Sequence, residues 1–371
     1  MNVKRVSLHE QAGLDLRQLA FKLEGNHQEA VLSDFLLQMP HTILALDSLH
    51  AHYSPDSLPT SLRLSRSSIG GAIALADFAS VLPLQTLTKY HFDINADLSA
   101  APGTLYCHQL SIMAPDESIM LQASGHLGKD GWQAAFSPMQ VSDRLLADIQ
   151  AAIPSAPQLI TRLGRVSLSG QVSQDGYGHL ATEGGLHCGV GHLSWQGSLK
   201  QDDKAWEAQI TADSLNMHHL LDNPLFGFLT ARLQLAGRQS AISIQGDVPY
   251  IDLNGYGYRD IALDGNYSPN EISGRLKVDD PHLQANVEGE FSKPRKPHVR
   301  LTGNIGSIAP QALHLSDRWG DATFAAIVDA DFAASSLADA EGILNLDDFI
   351  MDEAPPPISR TAGPMYSRVV C

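Results

Sequence analysis

At 371 residues the chain is longer than most single domains, and its length admits either several domains or one continuous β-array. Its 41 acidic against 25 basic residues leave a formal charge of -16, a balance that repels a phosphate backbone and argues against nucleic acid as a partner. Three cysteines, Cys107, Cys188 and Cys371, are too few and too scattered for a disulfide framework or a zinc site, although a single Cys107 to Cys188 bridge stays open.

The N-terminus sets Lys4 and Arg5 before Ser7, His9, Glu10 and Gln11, so no apolar core of a signal peptide follows the positive charge. The most apolar stretch, residues 69–87, is interrupted by Gly70, Gly71, Asp77 and Pro83, which argues against a membrane span of about 20 residues. The sequence as it stands is expected to carry neither an anchor nor an export signal.

Residues 1–88 form a first, incomplete repeat. Strand candidates at Leu14 to Leu23 and Thr42 to Tyr53 flank Gly25-Asn26-His27, and Leu75, Phe78, Ala79 and Leu82 have helical spacing. A second repeat, 89–162, starts a strand near Tyr90, carries a hairpin signal at Asp130-Gly131, and ends in a helical pattern through Leu145, Leu146, Ile149 and Ile153. The third, 163–228, alternates strictly: Val166 and Leu168 oppose Ser167 and Ser169, and Leu193 and Trp195 oppose Ser194 and Gln196. Asp175-Gly176 marks its turn, and Leu215, His219, Leu220 and Leu225 its helical segment.

In the fourth repeat, 229–320, the same alternation places Leu233 and Leu235, Ile242 and Ile244, Ile261 and Leu263, Leu276 and Val278, Val287, and Leu301 and Ile305 on one side. Asn254-Gly255 and Ser268-Pro269-Asn270 are its turn signals, and Ile308, Ala312 and Leu315 its helical spacing. Residues 321–353 begin a further repeat, while 354–371, with Pro355-Pro356-Pro357, lose all periodicity.

Glycines recur inside these strands on the apolar side, as at Gly170, Gly197, Gly246, Gly274 and Gly303. Mid-strand glycine costs stability and is tolerated where a bend or the close approach of another backbone or ligand needs the missing side chain. The pattern predicts a mainly β, elongated antiparallel repeat sheet curved into a narrow hydrophobic groove, with short helices between repeats. A sheet bending over an ordinary core is the alternative.

Groups with catalytic or ligating character are scattered. His187, Cys188 and His192 fall at a glycine-rich turn without a second Cys pair, and His50 and His52 share a strand face without an evident third ligand. His218-His219 with Asp222 has no nucleophile elbow beside it. Adjacent carboxylates at Asp279-Asp280 and Asp347-Asp348 point to opposite faces of a strand and cannot flank a scissile bond. Neither catalysis, a metal nor a cofactor is expected.

Three stretches carry a resemblance. They are Tyr258 to Tyr267 followed by Gly274 to Pro281, then Leu283 to Phe291, then Val299 to Leu313. The succession of a core strand, an Asp-Pro-ended strand, a Gly-Glu-Phe strand and a closing strand running into a short Leu-rich helix resembles the AsmA-like family, and within it the TamB branch of the translocation and assembly module. The cadence extends over about residues 14–350.

The resemblance implies a non-enzymatic Gram-negative envelope protein, periplasmic and inner-membrane-anchored in its full-length form. It implies a β-taco-type groove for phospholipid acyl chains, lipid transfer between inner and outer membrane, and outer-membrane protein assembly with an outer-membrane barrel partner. This sequence would be a middle segment of such a protein. A secreted structural or adhesive β-repeat, β-helix-like, is the competing expectation, although hairpin turns and intervals above 65 residues disfavour it.

Overall fold

A computed structural model describes residues 1–9, 15–54, 56, 61–80, 85–153, 157–292, 297–333, 341–352 and the backbone of 367–370. Leu14, Leu82, Cys371 and nearly all of the non-periodic tail lie outside the described residues. Strands take 71% of the described residues and helices 8%, which makes the protein mainly β. The chain divides into two compact units, Met1–Val190 and Gly191–Cys371, and this division falls inside the segment 163–228 expected as one repeat.

The first unit holds β1 (Asn2–His9), β2 (Asp15–Gly25), β3 (Glu29–Gln38), β4 (Ile43–His52), β5 (Arg63–Ala74), β6 (His91–Ala101), β7 (Thr104–Met113), β8 (Ile119–Gly128), β9 (Gly131–Val141), β10 (Val166–Asp175) and β11 (His179–Cys188). The second holds β12 (Gly191–Lys200), β13 (Ala205–Asn216), β14 (Phe226–Arg238), β15 (Ala241–Leu253), β16 (Tyr256–Ser268), β17 (Glu271–Asp280), β18 (Leu283–Ser292), β19 (His298–Ile308), β20 (Thr323–Ala333), β21 (Glu341–Asp352) and the short β22 (Ser367–Val370). Within each unit every strand pairs antiparallel with its neighbour in sequence, so both are meanders, and the sheet does not close into a barrel.

The turn chemistry explains the meander. Asn254 and Gly255 both hold positive φ, 53° and 77°, as a primed two-residue turn between β15 and β16 requires. Asp130-Gly131, Asp175-Gly176 and Ser268-Pro269-Asn270 likewise sit at the β8–β9, β10–β11 and β16–β17 reversals. Register shifts recur along the strands of the second unit, between Ala212 and Leu215, Thr230 and Arg232, Gln284 and Ala285, Ile305 and Ile308, and Ala325 and Ile327. Such bulges bend a strand and raise its twist.

The helical segments are shorter than their spacing predicts. Ser142 caps α1 (Asp143–Ala152) by accepting from Leu145 N, and α1 matches the expected segment. At Leu75–Phe78 there is one 3₁₀ turn, and α2 (Met217–Leu221) is five residues long, with Leu215 still in β13. No helix forms at 308–315: Ile308 ends β19, and Pro310 leaves one helical turn closed by Leu313 N on Ala309 O. A pattern spanning about two turns outlasts its nucleation cost only where packing supports it, as the buried cluster at Leu145 does for α1.

Buried clusters are small. In the first unit Leu87, Tyr90, Val141 and Leu145 pack with Phe92, Ile119 and Met139, so α1 covers one end of the apolar face of β6, β8 and β9. In the second, Ala326, Val328 and Ala330 pack with Ile305, Leu344 and Leu346. Apolar side chains such as Leu127, Ile272 and Leu276 are exposed, so part of the apolar face in each unit has no second layer. No described helix is long and apolar enough to cross a membrane.

Candidate functional site

Strand register turns the sequence alternation into ladders that run across the strands. In the second unit one ladder passes through Trp195, Ile210, Leu233, Gly246, Leu263, Leu276, Val287, Gly303, Val328 and Leu346. The next, one step toward the hairpin turns, contains Leu235, Ile244, Gly265, Gly274, Gly289 and Leu301, and the outermost contains Trp206, Ile242, Tyr267, Ile272, Phe291 and Val299. On the other side a fourth row joins Leu193, Ala212 and Ala231, then Val248, Ile261, Val278, Ala285, Ile305 and Ala326. No charged or amide side chain interrupts these rows.

All thirteen predicted lining residues of this unit, from Leu193 to Ile305, thus share one face. Val166 and Leu168 belong to the first unit, where Val166 pairs with Val141, and Leu168 with Met139 and Leu186.

Burial along the face is graded. Val278 is 5% exposed and Ala231 and Ala212 are buried, whereas Ile272 is 48% exposed and Tyr267, Leu276 and Leu301 stand open. Through β19 the face is closed at one strand end and open at the other, while on β20 Ala326, Val328 and Ala330 are buried along the strand.

The glycines divide into two kinds. A Cβ on Gly246 would lie 2.2 Å from Arg232 O, and one on Gly303 2.4 Å from Asn286 O, so there the neighbouring backbones come too close for any side chain. On Gly289 it would meet Leu301 Cδ1 at 3.5 Å, an ordinary contact. Close approach explains the first kind and not the second.

At the closed end a buried carboxylate ties strands together. Asp280, 1% exposed, accepts from Tyr256 Oη at 2.5 Å, Arg259 N at 3.0 Å and His282 N at 2.9 Å. Burial and the adjacent Asp280 carboxylate push the Tyr256 phenol up to about 12. Asp252 does the same one hairpin earlier, accepting from Tyr250 Oη and from Phe228 N. In the first unit Asp77 accepts from His41 N and Nδ1. Burial raises its pKa, but the hydrogen bonds from His41 and Thr42 outweigh this and hold the carboxyl below its ordinary range.

The opposite face is polar and carries cross-strand pairs such as Arg275 with Glu288 and Gln245 Nε2 with Asp264 Oδ2 at 3.0 Å. Two clefts, of about 560 and 480 Å³, open on this polar side of β13 to β19, and a third of about 580 Å³ at the strand ends also takes in Trp206, Ile242 and Tyr267 of the outermost apolar row. Sequence alternation predicts concavity on the apolar side. A twisted sheet is a saddle, with one concave diagonal on either face, so polarity does not determine where clefts open.

The scattered polar candidates do not assemble. His50 and His52 lie on β4, with His52 Nδ1 3.2 Å from Glu29. Asp279 is exposed while Asp280 is buried, and both Asp347 and Asp348 face solvent. Among the described residues no three His, Cys, Asp or Glu side chains gather as a metal site. Cys107 and Cys188 are thiols, so the bridge the sequence left open is not made. Alternation missed the strand-tying role of Asp280, for which Asp280-Pro281 at a strand end was the available signal.

These features define the class: a mainly β protein of antiparallel meanders, each unit carrying a sheet face of apolar side chains that is partly open. Comparison with protein-family models, curated proteins and solved structures gives no match.

Proposed function

We propose that this chain is a non-enzymatic, lipid-handling segment of a Gram-negative cell envelope, whose apolar sheet face lines a groove for phospholipid acyl chains. The observation that supports this most is the uninterrupted run of apolar ladders over ten strands, left half-open at one strand end. Aliphatic contacts are non-directional, and each buried CH₂ is worth ~0.8 kcal/mol, so such a face holds chains firmly while letting them slide. On this reading, and on the resemblance to AsmA-like and TamB proteins, the segment works in the periplasm. It passes lipid between inner and outer membrane or assists outer-membrane protein assembly beside an outer-membrane barrel protein.

The test is native mass spectrometry with lipid extraction on protein purified from a Gram-negative periplasm. Bound phospholipids are expected, and Leu235→Glu with Leu263→Glu removes them while the β-sheet circular dichroism is retained. A lipid-free monomer of unchanged stability overturns the proposal and favours a structural or adhesive β-repeat.

A further inference from the structure

The apolar face of β7 to β11 in the first unit carries a polar side chain whose orientation is fixed. Its ladders run through Leu105, Leu127, Trp132, Gln174 and Leu180, then through Cys107, Gly125, Ala134 and Val172. Gln174 is the amide among them. Trp132 Nε1 donates to Gln174 Oε1 at 2.7 Å. An indole nitrogen can only donate, so the amide oxygen must face the ring, and the two N–H groups of Nε2 point away from it.

Beside the pair, Leu127 is 59% exposed and Leu105 is open as well, so the amide stands at the uncovered end of the face. Apolar binding sites take their orientation from a few placed polar groups, and a donor amide is the complement of a carbonyl oxygen.

We infer that Trp132 and Gln174 form a polar anchor for the carbonyl end of an acyl ligand, a fatty acid ester, whose tail lies over Gly125 and Cys107. The inference rests on the acyl-binding reading and deepens it: Gln174 Nε2–H donates to the ester carbonyl, and Trp132 is a positioning residue that holds the amide in that orientation. The ladder thereby distinguishes an acyl ester from a plain hydrocarbon.

Cys107 supplies the readout. In the full chain with Cys188→Ser and Cys371→Ser, the rate of alkylation of Cys107 is measured against increasing methyl decanoate and, separately, undecane. Both ligands are expected to protect the thiol. Gln174→Met, of similar shape and without a donor, weakens protection by methyl decanoate about fivefold, the worth of one hydrogen bond, and leaves undecane unchanged.

Trp132→Phe keeps the ring and moves methyl decanoate in the same direction by less, with circular dichroism confirming that both variants are folded. If both ligands protect every variant equally, the anchor is overturned while acyl binding stands. If neither protects the parent chain, the acyl-binding reading of this face fails with it.

Discussion

The two ends of the ladders in β12 to β19 share a composition and differ in cover. At the closed end Ala212, Ala231, Val248 and Val278 are buried, and so, two residues beyond Val278, is the carboxylate of Asp280. At the open end Tyr267, Ile272 and Val299 are as apolar and remain exposed. Apolar surface stabilises a fold only when it leaves water. The closed end therefore carries stability, and the open end contributes little until something covers it.

Substitutions at the two ends should separate on this basis. Asp280→Ala removes the buried acceptor of three part-buried hydrogen bonds and is expected to cost ~3 kcal/mol, seen as a large fall in the urea midpoint. Leu313→Ala empties a fully buried position and should cost about 3 kcal/mol. Gly303→Ala, which drives a methyl into the Asn286 carbonyl, should cost ~2 kcal/mol, whereas Gly289→Ala should change stability by less than about 0.5 kcal/mol. Equal costs at the two glycines would remove the distinction between close approach and open space.

Ile272→Ala, at the open end, is expected to shift stability by under about 0.5 kcal/mol and yet reduce the lipid retained on purification.

The last effect depends on pH. Asp77 in the first unit has its carboxyl held below the ordinary range. Its contribution is therefore complete above the unfolded value of about 4 and is lost as pH falls through the lowered one. The melting temperature of the parent chain should exceed that of Asp77→Asn at pH 7, and the difference should shrink below about pH 4. A difference that persists unchanged at pH 2 would contradict this assignment.

Much of the architecture was legible because two local signals agree. Period-two alternation from Val166 to Ile305 predicts the faces, and Asp-Gly and Asn-Gly dipeptides predict the reversals, so register follows with few choices left. Alternation is silent where tertiary context decides. It does not distinguish Gly303, crowded by Asn286, from Gly289, which faces open space. Nor does it reveal that Ile308, Ala312 and Leu315, at helical spacing, end in a single turn after Pro310.

Strands such as β1 and β3 escaped the sequence reading because their apolar residues do not alternate cleanly: Leu36 and Leu37 are adjacent, and β1 shifts register twice against β2. The face candidates follow from local alternation of residue type. The anchor pair was not, because Trp132 and Gln174 are 42 residues apart and meet only through the β9–β10 register.

The central claim, that the apolar face and not the sheet in general holds acyl chains, is tested most directly at two adjacent residues. Leu276 lies on the apolar face at its open end and Lys277 on the polar face. A photo-crosslinking amino acid is placed at either position in the full chain, expressed in a Gram-negative periplasm, and the adducts are identified by mass spectrometry. Phospholipid adducts at 276 and none at 277 are the predicted result. Equal lipid labelling at both positions, or none at 276, would contradict the account.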